Sequence, residues 1–197
     1  MGQSKQRLES YEMAKQALLG RCDPEARVVA ETAIRLFDGF ILPNHFTGGC
    51  YQVSMTLHRF LMETHRISTE VVVGYVNDGT DDIMISHAWL DYNGKKIDLN
   101  LHVMANPDAT KPGGLIVLDQ VLRPGALTYT YHTERTGAYL IAAHRLLSDP
   151  DLGAIARHKE EEHLIMQARS KNPALMKAYI AAAPTEIGYA AMTAALR

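Results

Sequence analysis

Three residues of this 197-residue chain have the types and spacing for covalent chemistry on a carbonyl: Cys50 as nucleophile, His87 as proton carrier and Asp98 as the acid that orients the histidine. Apolar positions Val53, Leu57, Phe60 and Leu61 recur at three- and four-residue steps, so a helix begins at or just before Cys50. A cysteine at a helix start has its thiolate favoured by unpaired N–H groups and by the positive end of the helix dipole, and a nearby imidazolium adds to that effect. The Cys50 N–H is a natural donor to the oxyanion of a tetrahedral intermediate, and Gly48-Gly49 leave room for substrate to approach the backbone. Asn44, His45 and Gln52 are candidates for a second donor, and spacing does not rank them.

The placement of His87 and Asp98 follows from one turn. Asn93-Gly94, between apolar runs at 83–92 and 95–99, is the strongest short-range signal for a two-residue type I′ hairpin. In that hairpin Tyr92 pairs with Lys95, Asp91 with Lys96, Leu90 with Ile97, Trp89 with Asp98 and His87 with Asn100. Side chains alternate with period two, so His87, Trp89, Asp98 and Asn100 share a face. Asp98 then lies diagonally across from His87, at the roughly 7–8 Å that separates such neighbours. Asn100 is the alternative orienter, and Trp89 reads as core or as a wall beside the three. Each residue alone is explained by packing or solvation; together, in order and on one face, they point to catalysis.

Around this hairpin the chain reads as α+β. Leu8, Tyr11, Ala14, Ala17 and Leu18 mark a first helix, and Asp23-Pro24-Glu25 starts a second that should end near Asp38-Gly39. A strand at 70–76 precedes the hairpin, and further strands follow at 115–118 and 127–131. From Glu134 onward the texture is helical, cut into about four helices by Asp149-Pro150, Asn172-Pro173 and Ala183-Pro184. No repeat or linker interrupts the chain, which predicts a single domain over 1–197, with a catalytic core at about 44–132 and a helical extension at about 134–197.

The segments Thr47-Gly48-Gly49-Cys50-Tyr51-Gln52, Ser86-His87-Ala88-Trp89-Leu90-Asp91 and Gly94-Lys95-Lys96-Ile97-Asp98 resemble the transglutaminase-like branch of the papain-like cysteine enzymes. The resemblance covers roughly Asn44 to Asn100, under a third of the chain, and His-Ala-Trp with its following acid is the most specific piece. It implies a papain-like α+β fold with helices on a small antiparallel sheet, Cys50 as nucleophile, His87 as general base and acid, and Asp98 as its orienter. Gly48, Gly49, His45, Asn44 and Trp89 would surround the substrate. The implied activity is a cysteine-dependent amide or peptide hydrolase working through a thioester. An acyl- or amine-transferase of transglutaminase or arylamine N-acetyltransferase type, with the same triad, is one alternative. A non-catalytic binding module on the same fold is another. No metal or organic cofactor is required.

Composition narrows the partners. With 20 basic against 22 acidic residues, a net charge of -2 and no basic stripe, nothing favours nucleic acid. The longest apolar stretches fall far short of the roughly 18 residues of a spanning helix, so no membrane partner is expected. The N-terminal residues lack a secretory signal, which predicts a cytoplasmic protein. Two cysteines are too few for a disulfide framework, and Cys22 reads as a small hydrophobe. In the run His158-Lys159-Glu160-Glu161-Glu162-His163 the two histidines are five apart, unlike a zinc-binding pair, and a solvated charged helix face is the simpler reading. The expected partner is a peptide, protein or small acyl or amide substrate, and the C-terminal helices are the surface for a possible homodimer.

Overall fold

The computed structural model describes residues 2–108 and 110–196, so Arg197, the end of the expected helical third, lies outside the described residues. Helices α1 (Gly2–Leu19), α2 (Pro24–Leu36) and α3 (Cys50–Phe60) lead into strands β1 (Glu70–Asn77), β2 (Ile85–Tyr92) and β3 (Lys95–Ile97). Short strands β4 (Leu115–Val117), β5 (Gln120–Arg123) and β6 (Thr130–His132) follow, then helices α4 (Gly137–Leu147), α5 (Gly153–Ser170), α6 (Pro173–Ala181) and α7 (Tyr189–Ala194). The fold is α+β.

Helix α2 starts as its sequence dictates: the Asp23 carboxylate accepts the Ala26 N–H at 2.8 Å, and Pro24 fills the first turn. It does not end at Asp38-Gly39. The chain widens into a π-helical turn over Phe37–Ile41, with Leu42 N–H donating to Phe37 C=O at 2.9 Å. Gly39 therefore sits inside a helix, where a Cβ would lie 3.0 Å from that of Ala195. Its missing side chain admits the C-terminal segment, a need that a local sequence signal cannot express. Asp38 accepts from Tyr11 Oη at 2.8 Å and from Lys15 Nζ at 3.1 Å, tying α1 to this turn.

Helix α3 is the centre of the molecule. Seven consecutive residues, Tyr51 to Leu57, are buried, which is the pattern of a helix enclosed on all sides rather than laid on a surface. It packs on β1 and β2, and against α2, α6 and α7. The sheet order is β3-β2-β1-β6, antiparallel throughout. The hairpin between β2 and β3 has the expected register, Leu90 with Ile97, Asp91 with Lys96 and Tyr92 with Lys95, around left-handed Asn93 (φ 53°) and Gly94 (φ 76°). The last expected strand is shifted, because β6 pairs at Thr130–His132 against the end of β1.

Two features bend this sheet into a cradle. Strands β4 and β5 form a second hairpin whose turn, Leu118-Asp119, is left-handed at both residues without glycine. Asp119 compensates by accepting the Lys96 N–H at 3.1 Å and donating its own to the Lys96 carbonyl at 3.0 Å. The second feature is Gly74 on β1, where a Cβ would stand 2.4 Å from the His132 carbonyl oxygen and 2.8 Å from the Trp89 ring. The missing side chain lets Trp89 lie across β1 and meet Tyr131 edge-on, with ring centroids 5.2 Å apart. Gly74→Ala should lower unfolding free energy by about 1–3 kcal/mol, the usual cost of overpacking, as measured by urea unfolding. Gly137→Ala, at an open position in the first turn of α4, should change it by no more than about 1 kcal/mol.

Candidate active site

At the centre of the site is a buried carboxylate with three donors. Asp98 leaves the end of β3 and exchanges backbone hydrogen bonds with Ile116 of β4, at 2.9 and 3.0 Å, which fixes its Cα. Its Oδ2 accepts from His87 Nε2 at 2.7 Å and from Tyr131 Oη at 2.7 Å, and its Oδ1 accepts the Asn100 N–H at 3.0 Å. The His87 and Asp98 side chains are 6% and 0% exposed, so neither charge is relieved by water. Burial works against the Asp98 charge, but His87, the Asn100 amide and the Tyr131 hydroxyl outweigh it and hold the carboxyl below its ordinary value. Burial and the Asp98 charge push the Tyr131 phenol upward, so it stays a donor.

His87 joins this carboxylate to the cysteine. Burial disfavours its charge, yet Asp98 and then Cys50 outweigh that effect and raise the imidazole well above its ordinary value. With Nε2 committed to Asp98, Nδ1 is the ring nitrogen left free of that pairing, and His87 and Cys50 line the same cavity. Cys50 is half-buried at the head of α3, and its sulfur is free of any disulfide. Trp89 stands behind His87, nearly parallel to it at 6.4 Å, and forms a wall rather than a contact surface for ligand. The hairpin register brings His87 and Asp98 into contact as the sequence predicts, and Cys50 lines the same cavity as His87. The sequence reading missed Tyr131, whose only local signal is an aromatic on an alternating strand 33 residues away from its partner.

The loop before Cys50 divides the other candidates. Gly48, left-handed at φ 69° with open space around it, lines the cavity described below. Gly49 does not leave room for substrate. A Cβ there would lie 2.1 Å from the Phe46 ring, so the absent side chain is used for packing at the helix cap. Asn44 is exposed and donates from Nδ2 to Phe40 C=O at 2.8 Å, while His45 is exposed on a left-handed backbone at φ 46°. Neither lines the cavity. Gln52 is enclosed in the first turn of α3, and its Nε2 has no protein partner. Asn100 reaches the cavity beside His87, and its buried Oδ1 is likewise without a protein partner, but Asp98 is the residue bonded to the imidazole.

A cavity of about 740 Å³ opens from Cys50 and His87 between the sheet and helices α4, α5 and α6. On its wall stands a group that the sequence reading misjudged. His163 is 1% exposed, not on a solvated face, because α5 packs on β1 and stacks its ring on Tyr75 at 4.2 Å. Its Nδ1 meets Ser86 Oγ at 2.5 Å, and Ser86 meets Tyr51 Oη at 2.6 Å. Burial and then Arg135 push the imidazole down to about 4, so it is neutral at physiological pH. The charges flanking His163 in the chain hid this, since Lys159, Glu160 and Glu162 line the same cavity while His163 alone among them is buried. His158, by contrast, is exposed.

Two measurements follow from these contacts. Ser86→Ala strands both Tyr51 and His163, and should cost about 1–3 kcal/mol of stability in urea unfolding. For the ionic pair, His87 is raised, so its share of stability is complete below the ordinary imidazole value of 6.5 and is lost as pH climbs through its folded value. Asp98 is lowered, so its share is complete above 3.8 and is lost as pH falls through its folded value. The stability of the wild type relative to His87→Gln/Asp98→Asn should therefore be highest between about pH 4 and pH 6.5, and should decline on both sides. Compared with protein-family models, with curated proteins and with solved structures, the chain matches none, and what its site does is argued from its own geometry.

Proposed function

We propose that the protein is a cysteine-dependent amide or peptide hydrolase that works through a thioester on Cys50, on a fold similar to the papain-like, transglutaminase-like enzymes. The observation that carries this reading is that Cys50 and His87 line one cavity large enough for a substrate, with the His87 imidazole bonded to the buried Asp98 carboxylate at 2.7 Å. A cysteine heading a buried helix, with histidine and aspartate following on adjacent strands, supports the family resemblance.

In the first half-reaction the Cys50 thiolate attacks the substrate carbonyl carbon, a C–S bond forms, and the carbonyl electron pair moves onto oxygen. The Cys50 N–H lies at the helix start, where it can donate to that oxyanion. As the tetrahedral intermediate collapses, the C–N bond breaks, and the departing nitrogen takes the bonding pair and the His87 proton. Water then attacks the thioester, His87 accepts its proton, and the C–S bond breaks to return thiolate and a carboxylic acid. Asp98 stays ionised throughout and holds the ring, with Tyr131 and the Asn100 amide holding Asp98.

Iodoacetamide labelling read by intact mass tests the pair that this chemistry needs. Cys22 serves as the internal control, since burial and Asp23 push its thiol up. At pH 6 the label should go to Cys50 and not to Cys22, and His87→Ala should abolish that selectivity. Asp98→Ala should weaken it. If, in a protein shown to be folded, Cys50 labels slowly with a profile centred near the roughly 8.5 of a free thiol, the domain is a binding module and the hydrolase reading fails.

A further inference from the structure

We infer that the acyl group delivered to Cys50 is apolar, a medium-length hydrocarbon chain held in the cavity between the sheet and helices α4 and α5. The inference rests on the thioester reading above and specifies its substrate class. The volume, about 740 Å³, is that of a small-molecule pocket. Val76, Ile83, Met84 and Leu101 line it, and Ile85, Leu152 and Ile155 do so while remaining 49%, 48% and 60% exposed. Large aliphatic side chains left in water around one opening are informative when they ring a cavity, because a ligand that covers them gains roughly 25 cal/mol per Å² of apolar surface.

Most of the polar side chains on the same wall are committed to one another, the exception being His163, whose buried Nε2 has no partner among the described residues. Ser86 is shared between Tyr51 and His163. Glu160 accepts from Tyr139 Oη at 2.7 Å and from Arg135, and Arg135 also donates to Tyr75 Oη at 2.8 Å. Lys159 is paired with Glu162 at 2.7 Å. A peptide backbone entering this cavity would bring N–H and C=O groups that need partners, and unpartnered ones are costly. A hydrocarbon chain needs none. The unpartnered amide oxygen of Asn100 sits at the other end, beside His87, where a reacting carbonyl is polar in any substrate.

The reaction with an activated ester runs as the amide reaction does, with oxygen in place of nitrogen. The Cys50 sulfur bonds to the acyl carbon, the C–O bond breaks with its electron pair going to the leaving phenolate, and water then converts the thioester to the free acid and thiolate.

The p-nitrophenyl esters of acetate, butyrate and octanoate test the inference, by nitrophenolate release and by intact mass of the quenched protein. The expected result is an octanoyl adduct confined to Cys50, absent in Cys50→Ala, with kcat/KM rising along the series by on the order of tenfold or more. Leu152→Asp/Ile155→Asp, at exposed positions that folding tolerates, should lower the octanoate-to-acetate ratio by about tenfold. Acylation of Cys50 that is flat across the series, or fastest with acetate, overturns the apolar assignment and leaves the hydrolase reading standing. No acylation by any ester, on a Cys50 that iodoacetamide still labels selectively at pH 6, overturns that reading and this one with it. The p-nitrophenyl ester of N-acetylleucine separates the two sources of an apolar group. If it outpaces octanoate, the cavity receives a peptide side chain and the hydrocarbon-chain assignment is wrong.

Discussion

A carboxylate with no solvent exposure is expensive to bury, and much of this structure around β2 and β3 exists to make the Asp98 charge tolerable. Three donors converge on it from three parts of the chain: His87 from β2, Tyr131 from β6 and the amide of Asn100 from the segment after β3. Coulomb attraction in a dry interior repays desolvation only with good geometry and further hydrogen bonds, and here both oxygens of the carboxylate accept, Oδ2 twice and Oδ1 once. The same requirement explains the second hairpin, since Ile116 locks the Asp98 backbone while Asp119 clamps Lys96 two residues earlier. Lys96 in turn places its ammonium 3.9 Å from the centre of the Tyr131 ring, which keeps that phenol over the carboxylate.

Curvature follows from the same demand. Tyr131 lies on a strand at the opposite edge of the four-stranded sheet from β3, so its hydroxyl reaches Asp98 only because the sheet curls. Gly74 permits that curl by letting the Trp89 indole lie flat across β1. Trp89 then fills the space between His87 and Tyr131, and leaves the imidazole one orientation. The wall that part of the sequence suggests as a ligand surface is therefore a packing element, which fixes the angle of the His87 ring.

How much of this could be read from residues alone depended on how local the cause was. The register of β2 and β3, and with it the meeting of His87 and Asp98, was legible because Asn93-Gly94 admits essentially one turn. The start of α3 at Cys50 was legible from apolar periodicity. Gly39, Gly49 and Gly74 were not, because each makes room for a group brought by the fold: Ala195, the Phe46 ring, and the Trp89 ring with the His132 carbonyl. Strand β5 was hidden by a turn, Leu118-Asp119, whose left-handed residues are unsuited by type and are held by contacts to Lys96. His163 was hidden differently. Its neighbours in the chain are charged, and a helix that presents charges to water on one side can still bury a histidine on the other.

The two halves of the chain supply different properties to one site. Cys50, His87 and Asp98 come from α3 and the β2-β3 hairpin, all within a segment of about fifty residues that is tightly packed and internally hydrogen-bonded. The far wall of the cavity comes from α4, α5 and α6, whose polar groups pair among themselves and whose aliphatic side chains stay exposed at its rim. On the hydrolase reading proposed above, reactivity would be set by the buried electrostatic arrangement around Asp98, and selectivity by helices that make none of its hydrogen bonds. Apolar residues on those helices can then vary in size without disturbing the Asp98 charge or its donors, so that one chemistry could be kept while the substrate range shifts with the helical wall.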